Sequence, residues 1–330
     1  MRFLVLGGTA WLGRTIAAAA LAAGHEVTCV ARGSDVPSGA RLVQADRDDD
    51  DALAPVTASR WDAVMDVGRQ PLHVRRAVRD LEPVSDRYVF VSTANVYASQ
   101  AEVGADESAA LLEPLDGDRI VEPDDYGPAK VACEAAILDG FGPERTVIAR
   151  SGLIGGPGDP SGRTGYWPLR FARPSGPEGL VLVPEVPELT AALIDVRDLA
   201  TWLVRLAERS ATGIFNAFGD AIPLAEHLAT ARAVGGRGTP VGAAPDWLLA
   251  HEVAEWSGPR SLPLWLADRD WYGMNARSNA RAKAAGLALR PLAETLADAL
   301  AHDLSRDGEV ARGAGLTDAE ERELLEALRA

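Results

Sequence analysis

The chain holds only two cysteines in 330 residues, too few for a disulfide framework. Cys29 falls in a predicted strand and Cys133 in a predicted helix, so both read as buried free thiols suited to a reducing cytoplasm. No apolar run approaches the roughly 18 residues of a membrane span, and glycines interrupt the first thirty positions before any signal-type apolar stretch develops. The expectation is a cytoplasmic protein without membrane contact. Positive charge is also short: 33 Lys and Arg against 48 Asp and Glu leave a formal charge of −15. Such a surface repels phosphate backbones and anionic headgroups, which argues against nucleic-acid or membrane partners. The five histidines (His25, His73, His227, His251 and His302) show no metal-ligand spacing, so no metal is expected. Asp48–Asp51 reads as a solvated loop, and no internal repeat is visible.

What is present begins at once. Phe3–Leu6 is an apolar run that breaks at Gly7 and Gly8, with Gly13 following before an alanine-rich helical stretch. A buried strand, a tight turn and a helix start aim free N–H groups and a positive dipole end at one point, where a dinucleotide pyrophosphate ordinarily sits. The spacing is Gly7-x-x-Ala10-x-x-Gly13, and Ala10 adds a methyl where a glycine would let the backbone approach closest. Strand and helix patterns then alternate: strands at Glu26–Ala31, Arg41–Ala45, Ala63–Val67, Tyr88–Ser92 and Thr146–Ala149, with helices at His73–Leu81 and 129–139. This alternation predicts an α/β fold, a doubly wound parallel sheet of Rossmann type. Gly155–Pro187, rich in Gly and Pro, reads as irregular. Asp198 reads as the N-cap of a helix from Leu199, Gly213–Ala217 as a strand, and Leu316–Ala330 as an amphipathic helix with a Thr317/Glu320 capping box.

At the end of the second strand no acid awaits an adenosine ribose. Ala31 and Arg32 stand there, and arginine clamps phosphate well, so NADP is favoured over the alternative NAD. Arg14 offers a second positive charge, and Asp46 is a candidate partner for the adenine. Further on, Val91–Tyr97 is followed by Tyr126-Gly-Pro-Ala-Lys130. A tyrosine and a lysine four apart share one helix face, and a nearby ammonium stabilises phenolate. A hydroxyl at the end of a strand, as in Ser92-Thr93, holds a carbonyl oxygen in place.

At these residues the chain resembles the extended short-chain dehydrogenase/reductase superfamily, in particular the NAD-dependent epimerase/dehydratase family. Gly-Gly-Thr-x-x-Leu-Gly at the start and Ile148–Pro157 look like a bacterial isoflavone-reductase-like branch. The resemblance implies roles residue by residue. Thr93 would bind the substrate oxygen, with Ser92 as the alternative; Tyr126 would be the acid/base; Lys130 would hold the nicotinamide ribose and tune the tyrosine. Gly7, Thr9, Trp11, Leu12 and Gly13 match the cofactor loop. Two departures weigh against sugar chemistry. Ala94 and Asn95 stand where dehydratases carry Asp-Glu, and Leu153 takes the slot of an asparagine typical of sugar-nucleotide enzymes.

Residues 245–275 hold four of the eight tryptophans, Trp247, Trp256, Trp265 and Trp271, and suggest an aromatic wall for a planar or apolar substrate. Trp167, Arg170 and Asn95 are further candidate substrate contacts, and the acidic stretch 98–125 has the length of a functional lid. The expected organisation is a dinucleotide domain at 1–154, rejoined by 190–218, and a smaller, mostly helical substrate-binding part at 155–189 and 219–330. The C-terminal helix has two docking options, its own domain or a partner subunit in a homodimer. The expected function is an NAD(P)-dependent oxidoreductase acting on a small-molecule carbonyl or alcohol. An epimerase using the same triad on a sugar or sugar nucleotide remains open, as does a non-catalytic dinucleotide-binding protein.

Overall fold

The structure, a computed structural model, describes residues 1–306 and 313–329. In chain order the first half runs β1 (Arg2–Leu6), α1 (Trp11–Ala22), β2 (Glu26–Ala31), β3 (Arg41–Gln44), α2 (Ala54–Thr57), β4 (Ala63–Asp66), α3 (Pro71–Leu81), β5 (Tyr88–Thr93), α4 (Tyr126–Phe141) and β6 (Thr146–Ser151). Then follow β7 (Leu153–Gly155), α5 (Arg163–Ala172), β8 (Leu180–Pro184), β9 (Thr190–Ala191), β10 (Leu193–Asp195), α6 (Val196–Glu208) and β11 (Gly213–Ala217). Seven strands form one parallel sheet in the order β11-β6-β5-β4-β1-β2-β3. The predicted doubly wound α/β architecture is therefore observed.

Alternation along β1 shows why both faces are covered. Phe3 and Val5 face α1 and α6 with Ile16, Ala20 and Leu203, whereas Leu4 and Leu6 face α3 and α4 with Val74, Leu81 and Ile137. The chain winds to one side of β1 through β2 and β3, and to the other through β4, β5 and β6. A crevice opens where it parts, at the carboxyl ends of β1 and β4.

The remaining elements include β12 (Ile222–Pro223), α7 (Leu224–Gly235), β13 (Thr239–Ala243), α8 (Pro245–Ala250), α9 (Ala280–Ala284), α10 (Leu292–Leu304) and α11 (Asp318–Arg329), with four two-residue strands between 254 and 315. Most of them join α5 and β8 in a second core that includes Trp167, Phe171, Leu182, Leu228, Trp265, Leu296 and Leu324. Two expectations need correction here. Residues 155–187 are not irregular: α5 and β8 lie within them, because burying Tyr166, Trp167 and Phe171 outweighs the helical hydrogen bond lost at Pro168. Asp198 is not the N-cap of α6. Asp195 is, accepting from the Arg197 N–H at 2.8 Å, while Asp198 takes the Arg290 guanidinium at 2.7 Å.

Helix α11 has its reciprocal Thr317/Glu320 cap and seats Leu324 and Leu325 in the second core, so it docks on its own chain; Ala330 lies outside the described residues. Cys29 and Cys133 are buried and free, and burial pushes their thiols up to about 11 and about 12. Of the aspartates at 48–51, Asp48 pairs with Arg119 and with His73, whose Nε2 lies 2.8 Å away, and Asp50 pairs with Arg76 and Arg79. Among the described residues no helix is long and apolar enough to cross a membrane, and no cluster of His, Cys, Asp and Glu is gathered for a metal.

Candidate active site

The glycine turn is built by backbone sterics. Gly7 has φ +92°, and its N–H donates to Val30 O at 2.9 Å, while the Ala10 N–H donates to Gly7 O at 2.9 Å. A Cβ at Gly13 would stand 2.2 Å from Gly7 O, so α1 packs on the turn only because that side chain is missing. Ala10 caps α1 without a side-chain hydrogen bond, and the first turn of α1 holds no acid. Its leading N–H groups thus lack a protein anion, which fits a pyrophosphate. Thr9 lies against Gly33, and Leu12 packs on the core. Trp11 reaches across the crevice, its Nε1 donating to Pro157 O at 2.9 Å. Arg32 stands exposed 3.9 Å from Asp46, and Arg14 pairs with Asp35 at 3.2 Å. Both cations already have acidic neighbours that a 2′-phosphate would have to compete with.

Below the crevice, a polar knot the sequence did not reveal shapes the segment after β4. Buried Asp66 accepts two bonds from Arg47, at 2.8 and 3.0 Å, one from the Tyr88 hydroxyl at 2.6 Å and one from the Gly68 N–H at 2.7 Å. Burial alone would raise its carboxyl, but Arg47 overrides burial and holds it below the usual range. The segment so positioned brings Gly68 O to Lys130. The Lys130 ammonium donates to Gly68 O at 2.8 Å and Val91 O at 2.6 Å, and lies 3.9 Å from the centre of the Phe90 ring. Burial pushes it down to about 8. Two of its three donors are committed, which leaves one for a cofactor hydroxyl.

One turn earlier on α4, the Tyr126 phenol partners the Thr93 hydroxyl at the end of β5, and the Arg69 guanidinium lies 5.0 Å from its ring centre. Burial raises the phenol above 10, with Thr93 and Arg69 opposing. Thr93 Oγ1 in turn accepts from the Asn95 N–H at 3.3 Å. Thr93, Asn95, Tyr126 and Trp11 open into one pocket of about 650 Å³ that Arg163, Trp256, Leu266, Trp271, Met274 and Asn275 also line. Residues Ala98–Ala101, Leu112 and Asp124 of the acidic stretch wall a second hollow of about 480 Å³, which Tyr126 also lines.

Not every expected contact is there. Ser92 turns away from the pocket and donates to Glu134, which is itself paired with Arg150 at 2.8 Å in the core. Trp167 is fully buried, its Nε1 donating to Pro263 O at 3.0 Å, and Arg170 binds Leu316 O and the carboxylates of Asp318 and Glu321. Both belong to the second core, so neither lines the site. Of the tryptophans at 245–275, Trp256 and Trp271 face the pocket, Trp265 is core, and Trp247 stacks on His251. Sequence reasoning missed Arg69, Arg163 and Asn275, which nothing but tertiary position marks out. A larger hollow of about 910 Å³ lies between α7 and the β8–β13 pair. It contains no residue of the Thr93–Tyr126–Lys130 group, so chemistry rather than size locates the site.

A parallel sheet with a glycine turn at its switch point, and a tyrosine and lysine on the helix after β5, is an α/β arrangement that fits a dinucleotide. Residues 3–86 match the model of the NAD dependent epimerase/dehydratase family. No curated protein matches the sequence. Among solved structures, a Burkholderia cenocepacia J2315 protein described as a candidate epimerase shares 22% identity, with TM-score 0.69, over 91% of this chain and 97% of that one. The UDP-N-acetylglucosamine 4-epimerase of Bacillus cereus shares 15% at TM-score 0.66, over 96% and 100%. The UDP-glucuronic acid 4-epimerase of Bacillus cereus, solved with NAD, shares 13% at TM-score 0.65, over 93% and 100%. At such identities the likeness is one of fold.

Proposed function

We propose that the whole chain is an NAD(P)-dependent oxidoreductase of the short-chain dehydrogenase/reductase type within the epimerase/dehydratase family, on its isoflavone-reductase-like side. Its substrate is a small carbonyl compound, or the corresponding alcohol, with an apolar or aromatic body. The observation that carries this reading is the Tyr126 phenol held beside the Thr93 hydroxyl on the wall of the crevice, with Lys130 one helical turn away.

The bound nicotinamide supplies or accepts the hydride. The chain's own groups handle the oxygen. Thr93 donates a hydrogen bond that fixes the carbonyl, and Tyr126 gives up its proton as negative charge grows there. The resulting phenolate is stabilised by Arg69 over its ring and by the Thr93 hydroxyl, while the Lys130 ammonium, bonded to Gly68 O and Val91 O, is left to hold the cofactor. Burial keeps Tyr126 protonated at neutral pH. Reduction is therefore the direction favoured near pH 7, and alcohol oxidation, which needs phenolate, rises toward alkaline pH. Arg32 at the end of β2 favours NADP.

Epimerisation needs the same side chains, and the family model and the fold neighbours give it weight. The apolar wall of Trp256, Leu266, Trp271 and Met274 favours net reduction of a less polar substrate. A steady absorbance at 340 nm during substrate conversion would instead indicate epimerase. Tyr126→Phe should lose about 100-fold or more in turnover while still binding cofactor. Full turnover in that variant would overturn an enzymatic role for the phenol and favour a dinucleotide-binding protein.

A further inference from the structure

We propose that the substrate carries an oxyanion, held by Arg163 in the pocket that Thr93 and Tyr126 also line. This deepens the oxidoreductase reading and rests on that pocket being the reaction site.

Arg163 opens α5 and lines the pocket. Its Nε donates to Ser161 Oγ at 3.1 Å, and its guanidinium lies 5.2 Å from the centre of the Trp256 ring. No carboxylate of the described residues pairs with it. Arg47, Arg150 and Arg170 each have one, whereas buried Arg277 also has none and donates to Ser99 O and Gln100 Oε1 away from this pocket. Two acids share its wall; Asp159 attracts the guanidinium through space, but no carboxylate oxygen of either accepts a hydrogen bond from it. Asp159 accepts from Ser161 N and Oγ at 2.8 and 2.7 Å and from Thr164 N and Oγ1 at 3.1 and 2.8 Å; Glu255 accepts from the Ala267 N–H. A partly desolvated guanidinium with open donors is costly unless an anion arrives.

A second observation points the same way. Asn275 is 3% exposed, lines the same pocket, and has an Nδ2 with no hydrogen-bond partner. Buried amide donors are rarely left open, and one lining the same pocket as an arginine without a carboxylate partner offers a second contact to an oxyanion. Trp256, Trp271 and Met274 frame the two donors with apolar surface. That combination favours a carboxylate on a flat apolar body, such as an aryl or enoyl acid. A diphosphate offers the same oxyanion chemistry and is the competing source.

The test measures binding of benzoate, cinnamate and phenylpyruvate against their amides, and of UDP, by tryptophan fluorescence and calorimetry with and without NADPH. In the native protein at least one carboxylate should bind about tenfold or more tighter than its amide, and added salt should weaken it. Arg163→Gln should abolish that preference, Arg163→Lys should keep part of it, and NADPH affinity should be unchanged in both. UDP binding through Arg163 with no carboxylate binding would assign the oxyanion to a diphosphate. The proposal is overturned if no anion binds, if the preference survives Arg163→Gln, or if Arg163→Gln weakens NADPH, which would make Arg163 a cofactor residue. Anion binding retained in Tyr126→Phe separates this site from the phenol's chemistry, so either idea can fail without the other.

Discussion

Replacing Gly13 by alanine tests the cofactor cradle through a single methyl group. The new Cβ would stand 2.2 Å from Gly7 O, 2.8 Å from the Gly7 carbonyl carbon and 3.4 Å from Gly8 Cα. An ordinary carbon–oxygen contact is near 3.2 Å, so the turn and α1 must separate by about 1 Å; overpacking of this kind costs about 1–3 kcal/mol. Against it stands helix propensity, since alanine inside a helix gains about 1 kcal/mol over glycine. Stability should therefore change little, between neutral and about 2 kcal/mol lost. Binding has no such offset, because in the proposed reading the displaced N–H groups are those that would face the pyrophosphate. Dinucleotide affinity should fall by about tenfold to 100-fold. Thermal unfolding and NADPH fluorescence titration on the same sample separate the two effects. A variant that binds NADPH and NAD within about twofold of the native protein would show that the turn is only a strand–helix connection, and the reasoning from the missing side chain would be wrong.

Two other perturbations probe cofactor choice and pH. Arg32, with its side chain 77% exposed and 3.9 Å from Asp46, is placed to meet a 2′-phosphate; Arg32→Asp should weaken NADPH by about tenfold and shift preference toward NAD, whereas equal NADPH affinity in both proteins would exclude a phosphate contact. His227 is buried with Nε2 unpartnered, and burial pushes it down to about 4 from 6.5. It stays neutral in the folded chain while the unfolded chain takes up a proton, so its contribution is present above pH 6.5 and is lost as pH falls toward 4. The loss amounts to about 3 kcal/mol, and His227→Leu should flatten that part of a denaturation series run from pH 7 to 4; parallel pH profiles for the two proteins would refute it.

Much of the fold was legible because its signals are local. The strands of the first half declared themselves by apolar runs, and Gly7 and Gly13 by a positive φ and a close backbone approach that other residues do not meet. Tyr126 and Lys130 were legible because four residues make one helical turn, whatever the rest of the chain does. The same locality explains the misses. The Gly and Pro content at 155–187 resembled a loop, yet α5 forms there because the second core buries Trp167 and Phe171 from one side. Trp167 and Arg170 looked like substrate contacts from their place after the sixth strand, but their partners, Pro263 and Leu316, lie 96 and 146 residues away.

The amino-acid order by itself determined the parallel sheet, the tight glycine turn between β1 and α1 and the placing of Tyr126 and Lys130 one turn apart on one helix, since periodicity and backbone sterics act over a few residues. Only the tertiary structure decided which arginines are paired and which are left open. Arg150 and Arg170 found carboxylates in the two cores, while Arg69 came to rest over Tyr126 and Arg163 beside Trp256. Those outcomes depend on which distant surfaces exclude water together, and that is settled by packing of the whole chain.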